Sequence, residues 1–587
     1  MKIASEKVIR RSLYITAVVI LILYPLRHIC VGVDLWDAGY NYGNFRYPGI
    51  EHMDSMWYFA TWLANQFGTL FTKLPFADSM LGLNVYTGLL VSLLAVLSWI
   101  FAVKVLKIPA VLAFVGELMA ISLCWLPTAV LYNYLTYLFL LIGTLLLYWG
   151  LTTDRYGCLV AAGVVLGCNV AVRFSNLPQM ALIIAVWSYG RMCRKQFSEV
   201  LKETGFCILG YVGALGIYLL LMVSLYGLPE YVQGIFRLFG MTETAVDYSP
   251  SYMLQELLDT YYGITYWLKR FGLAVVAGLV VCTICPGKGI KIKKTGITGI
   301  TLLLVVWLVK AGYCYPDYHV YASMFEPAVT VLAILLMYAL YQLGNRQMSQ
   351  DEKLMAVLML ITVLITSLGS NNAVYSSINN LFLVMPWFIG TSWKFFKEKK
   401  SVWYFPFQCL ITAVLVLLFI QSVRFGTTFV YEEADGGRKL DTVIEEVPVL
   451  AGMKTNARKA AALTGLYGHL QENNLLQHEC LLYGRIPGVA YYMDMAPAMN
   501  IWADLDSYTY QTMEKDLIQL GEEIQSGGQK PVMILEAGVY TDIQEQLTKE
   551  VSFLEGKTDD KTRLICEWIK EFGYTNTYIN EKFAVFQ

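Results

Sequence analysis

The feature that most constrains this chain is a series of apolar runs, each close to the length that crosses a hydrocarbon core. They lie at about 11–30, 81–103, 109–127, 131–151, 156–172, 177–190, 205–226, 269–286, 297–312, 325–344, 353–369, 379–394 and 402–423. In lipid the backbone of such a run can satisfy its polar groups only within itself, so each reads as a helix. Composition points the same way: 56% of the residues are hydrophobic and 15% charged, far below the charge fraction of a soluble domain. The expected fold is a polytopic α-helical membrane protein with about thirteen transmembrane helices.

The connecting charges give an orientation. With the N-terminus inside, the cytoplasmic loops become KVLK, TTDRYG, GRMCRKQFSEVLK, GKGIKIKK, GNRQMSQDEK and KFFKEKK. Together with the N-terminus they hold roughly twenty Lys and Arg, against fewer than ten opposite, as the positive-inside rule requires. The basic, then apolar start, MKIASEKVIRRSLYITAVVILILYPL, lacks a small-residue cleavage site and reads as a retained signal anchor in the plasma membrane. Every long connection then lies outside: about 31–80, 227–268, 313–324 and the tail. In the first, Met56, Ala60, Leu63, Phe67, Leu70 and Leu74 recur at helical steps, the pattern of an amphipathic helix in the interface or packed on the spans.

Two regions follow: a membrane module over 1–424 and a soluble extracytoplasmic α/β domain over 425–587, where the composition turns polar and strand-like CLLYG, PVMILE and FAVFQ alternate with helical stretches. The net charge of −1 does not point to any partner, and no basic stripe suggests nucleic acid, so no nucleic-acid partner is expected. The twelve cysteines show no zinc spacing; Cys282 and Cys285 are small apolar residues near a span end, and a Cys480–Cys566 pair is left open. Asp504-Leu505-Asp506 is read as a solvated turn.

The chemistry-bearing residues gather on the outer side. The stretch VDLWDAGYNYGNFRY puts Asp34 and Asp37 beside the bilayer among aromatic rings, including Tyr40 and Tyr42. Arg173 ends the fifth run, Lys310 ends the ninth, and Asp317 and His319 follow it. Charges at such positions are costly and tend to be functional. A carboxylate there can take a proton from an acceptor hydroxyl while a cation steadies a departing phosphate. Glu117, deep in a span, serves equally well as a hydrogen-bond partner within the bundle.

Taken together, these features resemble the C-type glycosyltransferases (GT-C fold), whose members include the protein O-mannosyltransferases and the lipid A aminoarabinose transferase. Asp37-Ala38-Gly39-Tyr40-Asn41-Tyr42 stands where many of those enzymes carry Asp-Glu followed by tyrosines; Asp37 matches the aspartate and Ala38 departs from the glutamate. Where several relatives have a second aspartate, LPTAVLYNYLTY offers Asn133, which leaves a divalent metal ion open; no other cofactor is called for. The tail stretch LLYGRIPGVAYYMDMAP is also similar to the external domains of these enzymes. The resemblance implies a polyprenyl-phosphate sugar donor, inversion at the anomeric carbon, and a glycan, lipid or protein acceptor. It assigns Asp37, with Asp34 second, to catalysis, Arg173 and Lys310 to the donor phosphate, and Tyr40, Tyr42, Asn133, Asp317 and His319 to substrate. A glycan polymerase or ligase, and a transporter or flippase of lipid-linked glycans, are the alternatives; no paired repeats of the transporter kind are found.

Overall fold

The structure is a computed structural model of the 587-residue chain and describes residues 2–51, 53, 55–124, 131–244, 249–284, 289–368, 372–431, 438–505, 508–541 and 560–587. The chain is mostly helical. Each of the thirteen apolar runs falls on a helix, and among the described residues seven helices are long and apolar enough to cross a membrane: Met80–Lys104, Leu131–Thr152, Phe197–Tyr226, Ser251–Ile284, Ile290–Lys310, Tyr321–Gly344 and Val402–Thr428. Thirteen spans are therefore not confirmed. Several of the others are short or interrupted. Ala110–Leu123 has 14 residues, and Val384–Glu398 has 15 and begins after Leu383 at a positive φ of 62°. The run at 177–190 opens as a 3-10 segment, Phe174–Leu182, around Pro178, which lacks a donor for a regular ladder.

Helix starts follow local chemistry. Ser79 Oγ accepts from the Gly82 N–H to begin Met80–Lys104, and Ser349 with Glu352 forms a capping box for Gln350–Thr366.

The segment after the first apolar helix is ordered. Asp37–Arg46 is a helix that lies under the C-terminal region. The expected amphipathic helix is instead two, Ser55–Ala60 and Trp62–Phe71, broken at Thr61. The first is covered by Leu228–Thr244, where the Tyr231 ring meets Phe59 edge-on at 5.3 Å. Met56 and Ala60 are buried while Leu70 is exposed, so this stretch packs on protein along much of its length.

The C-terminal region holds a two-stranded ladder, β1 (Thr442–Val443) with β2 (Lys454–Thr455), and a four-stranded sheet of β3 (Cys480–Tyr483), β4 (Val532–Glu536), β5 (Asn576–Ile579) and β6 (Phe583–Phe586). The sheet order is β3-β4-β6-β5, with β3 and β4 parallel and the other pairs antiparallel. Strands β3 and β6 are buried throughout because both faces are covered. Side chains alternate between the faces. Leu481, Tyr483, Met533 and Phe586 join a core with helices Tyr510–Gln525 and Asp560–Glu571. Leu482, Ile534, Phe583 and Val585 join a second core that also contains Val33, Leu35, Tyr40 and Tyr42. One face of the sheet and the carboxylate loop thus share a hydrophobic core. Cys480 and Cys566 are both buried and are not joined by a disulfide. Cys285 and Asp506 lie outside the described residues.

Candidate functional site

Asp34 is fully enclosed, at 2% exposure, and both its oxygens are engaged: Oδ1 accepts from the Trp36 N–H at 3.0 Å and Oδ2 from the Ala38 N–H at 2.7 Å. It therefore holds the start of the Asp37–Arg46 helix, where a negative charge is favourable. Burial, reinforced by the charge of Asp37, pushes its pKa up to about 6, against the pull of the two N–H bonds and of Lys459. Asp37, three residues on, is only half-buried. It accepts a hydrogen bond from the Tyr431 phenol. Loss of hydration raises its carboxyl above the ordinary range, and the Tyr431 bond, which favours the charged form, opposes that. Of the two acids, Asp37 is the less enclosed, and its carboxylate is held by one phenol and not by two backbone N–H groups.

The C-terminal region fixes this loop through its backbone. Gly32 N donates to Lys454 O at 2.8 Å and Lys454 N to Cys30 O at 2.7 Å. Gly488 N donates to Leu35 O at 2.9 Å, and the Tyr492 hydroxyl to Asp34 O. The fully buried Lys459 reaches Val33 O at 3.1 Å. Arg46 closes on Asp494 with two hydrogen bonds, 2.9 and 3.1 Å, joined by the Tyr47 hydroxyl at 3.0 Å. Most of these C-terminal contacts come from LLYGRIPGVAYYMDMAP.

Arg173 follows the helix Tyr156–Val172. Its Nη1 donates to Asn133 Oδ1 at 3.3 Å, and its guanidinium lies 5.0 Å from the centre of the Tyr132 ring. No carboxylate pairs with it among the described residues. Tyr132 is near enough to act electrostatically on Tyr431, so the Asp37–Tyr431 pair and the Arg173–Asn133–Tyr132 group are linked through the two tyrosines, and no described contact joins Asp37 to Arg173 directly.

The remaining candidates stand elsewhere. Tyr40 is buried, stacked on Trp502 at 3.8 Å with its hydroxyl on Met53 Sδ at 3.2 Å. Tyr42 is buried with its hydroxyl on Asn84 Oδ1 at 2.5 Å. Both rings pack the loop against its surroundings. Lys310 and His319 are exposed. Asp317 pairs with Arg438 at 2.6 Å. No described contact joins these three to the patch around Asp37. Glu117 accepts from Ser98 and from the Leu383 N–H, its bundle-partner role. Among the described residues, no group of three or more His, Cys, Asp and Glu converges to hold a metal ion.

Sequence reading missed Tyr431, Tyr132 and Lys459. Tyr431 is one of 40 tyrosines, and its position just beyond the last apolar run is its single distinguishing mark.

No family model matches the sequence, and no curated protein matches it. Among solved structures, the archaeal oligosaccharyltransferase AglB from Archaeoglobus fulgidus, in complex with an inhibitory peptide and a dolichol-phosphate, is similar over 98% of this chain and 74% of its own, with TM-score 0.45 and 11% identity. The apo form of the Archaeoglobus fulgidus oligosaccharyltransferase gives 0.44 and 12%, over 91% and 70% of the two chains. The form tethered to an acceptor peptide containing the NVT sequon gives 0.45 and 13%, over 98% and 74%. At these values the likeness assigns neither an activity nor a site.

Proposed function

We propose that the protein is an integral-membrane glycosyltransferase that moves a sugar from a polyprenyl-phosphate donor to an extracytoplasmic acceptor hydroxyl, with inversion. The observation that carries this reading is the half-buried Asp37 carboxylate, held by one phenol, together with Arg173, which has no carboxylate partner among the described residues and is linked to that phenol through Tyr132. The acceptor oxygen attacks the anomeric carbon and its proton passes to Asp37 Oδ1 or Oδ2. The bond between that carbon and the phosphate oxygen breaks, and the electron pair leaves with polyprenyl phosphate toward the Arg173 guanidinium, whose planar fork suits a phosphate. Asn133 orients that guanidinium. In this reading the carboxylate loop faces outside, the N-terminus lies in the cytoplasm, and the lipid chain of the donor stays in the bilayer.

The test uses purified protein, a panel of synthetic polyprenyl-phosphate sugars and crude envelope glycans, with release of polyprenyl phosphate followed over time. Acceptor-dependent release of one donor is expected. Arg173→Ala should lower the rate by about 10²–10³-fold, the usual loss for one electrostatic stabiliser, and Arg173→Lys should recover part of it. Full activity in Arg173→Ala would remove the residue from the reaction; no release from any donor would turn the reading toward transport.

Tyr431→Phe makes a separate prediction. A base works deprotonated, so activity rises with pH through the Asp37 pKa. Removing the phenol removes a bond that favours the carboxylate, so the acid limb of the kcat profile should move to higher pH. A limb that stays in place would mean that Tyr431 does not act on the base.

A further inference from the structure

We infer that a groove in the membrane module binds one anionic, two-chain phospholipid, with its phosphate at the membrane surface opposite Asp37. The groove has a volume of about 740 Å³ and runs between the helices Thr265–Ile284 and Phe325–Gly344, with Phe405–Thr428 packed beside both. This binding does not depend on the transferase reading.

Helical periodicity builds the walls. Leu268, Phe271, Gly272, Val275, Val276 and Leu279 fall at three- and four-residue steps on one face of the first helix. Ile334, Met337, Tyr338 and Tyr341 do the same on the second. Val276 and Met337 are exposed, so the groove opens sideways, where a bilayer would supply lipid. Gly278 brings the first helix close to the third: a Cβ there would lie 2.9 Å from Pro406 Cβ. At Gly272, by contrast, a Cβ would meet nothing within 4 Å. From Leu268 to Leu279 the helical rise gives a length of about 17 Å. Half of a hydrocarbon core of about 30 Å is close to that, so the groove suits acyl chains of one leaflet.

Charge at one end selects the lipid. Lys399 Nζ lies 5.8 Å from the centre of the Phe395 ring and 5.7 Å from that of Tyr404, and both rings line the groove. Lys294 Nζ lies 4.9 Å from the ring of Phe405, the residue after Tyr404. Lys399 donates to Gln347 Oε1 at 2.9 Å, which leaves other N–H groups of its ammonium for a ligand. Neither lysine has a carboxylate partner among the described residues. The connecting stretches at this end, GKGIKIKK and KFFKEKK, hold eight lysines against one acid. At the other end Arg270 lies over the Tyr266 and Trp307 rings, neither of which lines the groove. Two ammonium groups at the mouth of an apolar groove fit a phosphate carried on acyl chains. A zwitterionic headgroup adds a cation, which they repel.

The position of that mouth separates this phosphate from a donor's. Phe405–Thr428 has 24 residues and is about 36 Å long. The lysines gather at its start, whereas Tyr431, which bonds Asp37, follows its end. A phosphate at Lys294 and Lys399 therefore lies a membrane thickness away from Asp37.

The experiment is native mass spectrometry of the full chain released from detergent micelles. The probes are dioleoylphosphatidylglycerol, dioleoylphosphatidylcholine and a polyprenyl phosphate, each titrated alone and in competition. One phosphatidylglycerol should be held about tenfold more tightly than phosphatidylcholine with the same chains. Lys294→Gln with Lys399→Gln, both outside the packed core, should weaken phosphatidylglycerol about 10–30-fold and abolish the preference. Gly272→Leu places a side chain in the groove without changing charge and should weaken both phospholipids about tenfold. Lys202→Gln, an exposed lysine beside Tyr156 and away from the groove, should bind as wild type, as should Asp37→Asn. Equal binding of the two phospholipids, or unchanged binding in the lysine pair or in Gly272→Leu, would overturn the inference. So would a polyprenyl phosphate that displaces phosphatidylglycerol from the lysine-dependent site.

Discussion

Asp37→Asn is expected to lower transfer by about 10²–10⁴-fold, the usual contribution of a positioned general base, while the protein melts as wild type does. The amide keeps the size of the carboxylate, and its oxygen can still accept from the Tyr431 phenol, so packing is preserved and only proton acceptance is lost. Asp34→Asn is the informative contrast. Each Asp34 oxygen holds a backbone N–H, and an amide can accept at only one of its two positions. That variant should unfold at lower temperature, with the start of the Asp37–Arg46 helix freed. Rates of release and thermal unfolding in detergent, measured on both variants, check the assignment. Equal activity losses with equal loss of stability would mean that neither acid is specifically the base.

The second large effect is expected at Gly39. A Cβ built there would lie 2.3 Å from Gly488 Cα and 2.9 Å from Gly488 N, distances that only backbone movement can relieve. In return, a Cβ on Gly488 would lie 3.0 Å from Gly39 Cα and 2.8 Å from the Tyr492 ring. The loop helix and the helix Gly488–Tyr492 therefore meet backbone to backbone, and Gly39→Ala must push them apart. Overpacking of this kind costs about 3 kcal/mol. The same movement would strain the Gly488–Leu35 and Tyr492–Asp34 bonds that place the acids. Gly39→Ala should unfold earlier, expose the 438–505 segment to protease, and lose activity through displacement of Asp37. Gly213→Ala, where a Cβ meets nothing within 4 Å, is the control and should behave as wild type. Normal stability in Gly39→Ala would show that the two backbones have more room than their positions indicate.

Much of the site's raw material is legible in the sequence. Asp34, Asp37 and Arg173 were each singled out by charge next to an apolar run, because hydration makes such placements expensive, and Asn133 by the family resemblance alone. Their division of labour was not legible. Asp34 and Asp37 are chemically identical, and only the two N–H groups on one and the phenol on the other separate them. Tyr40 and Tyr42 fit a sugar platform as well as a core by residue type, and burial against Trp502 and Asn84 places them in the core. Lys310, Asp317 and His319 shared the expected side of the membrane with Asp37, yet sidedness fixes one coordinate and leaves the other two free. Lys459, within ARKAAALTGLYGHLQ, looks like an ordinary solvated helix charge; it is buried because the C-terminal region docks on the loop.

By itself, the sequence determined that this chain is helical and apolar enough for a membrane, where its helices fall, and that a polar region with strands follows them. Those properties depend on local hydropathy and backbone satisfaction, which are read within one or two tens of residues. Only the tertiary structure decided how many helices are long enough to span, which acid is sealed and which is half-buried, that Tyr431 bonds to Asp37, and that Asn133 bonds to Arg173. Those outcomes depend on contacts between residues tens to hundreds of positions apart, and their partners are chosen by packing across the shared core of sheet and loop.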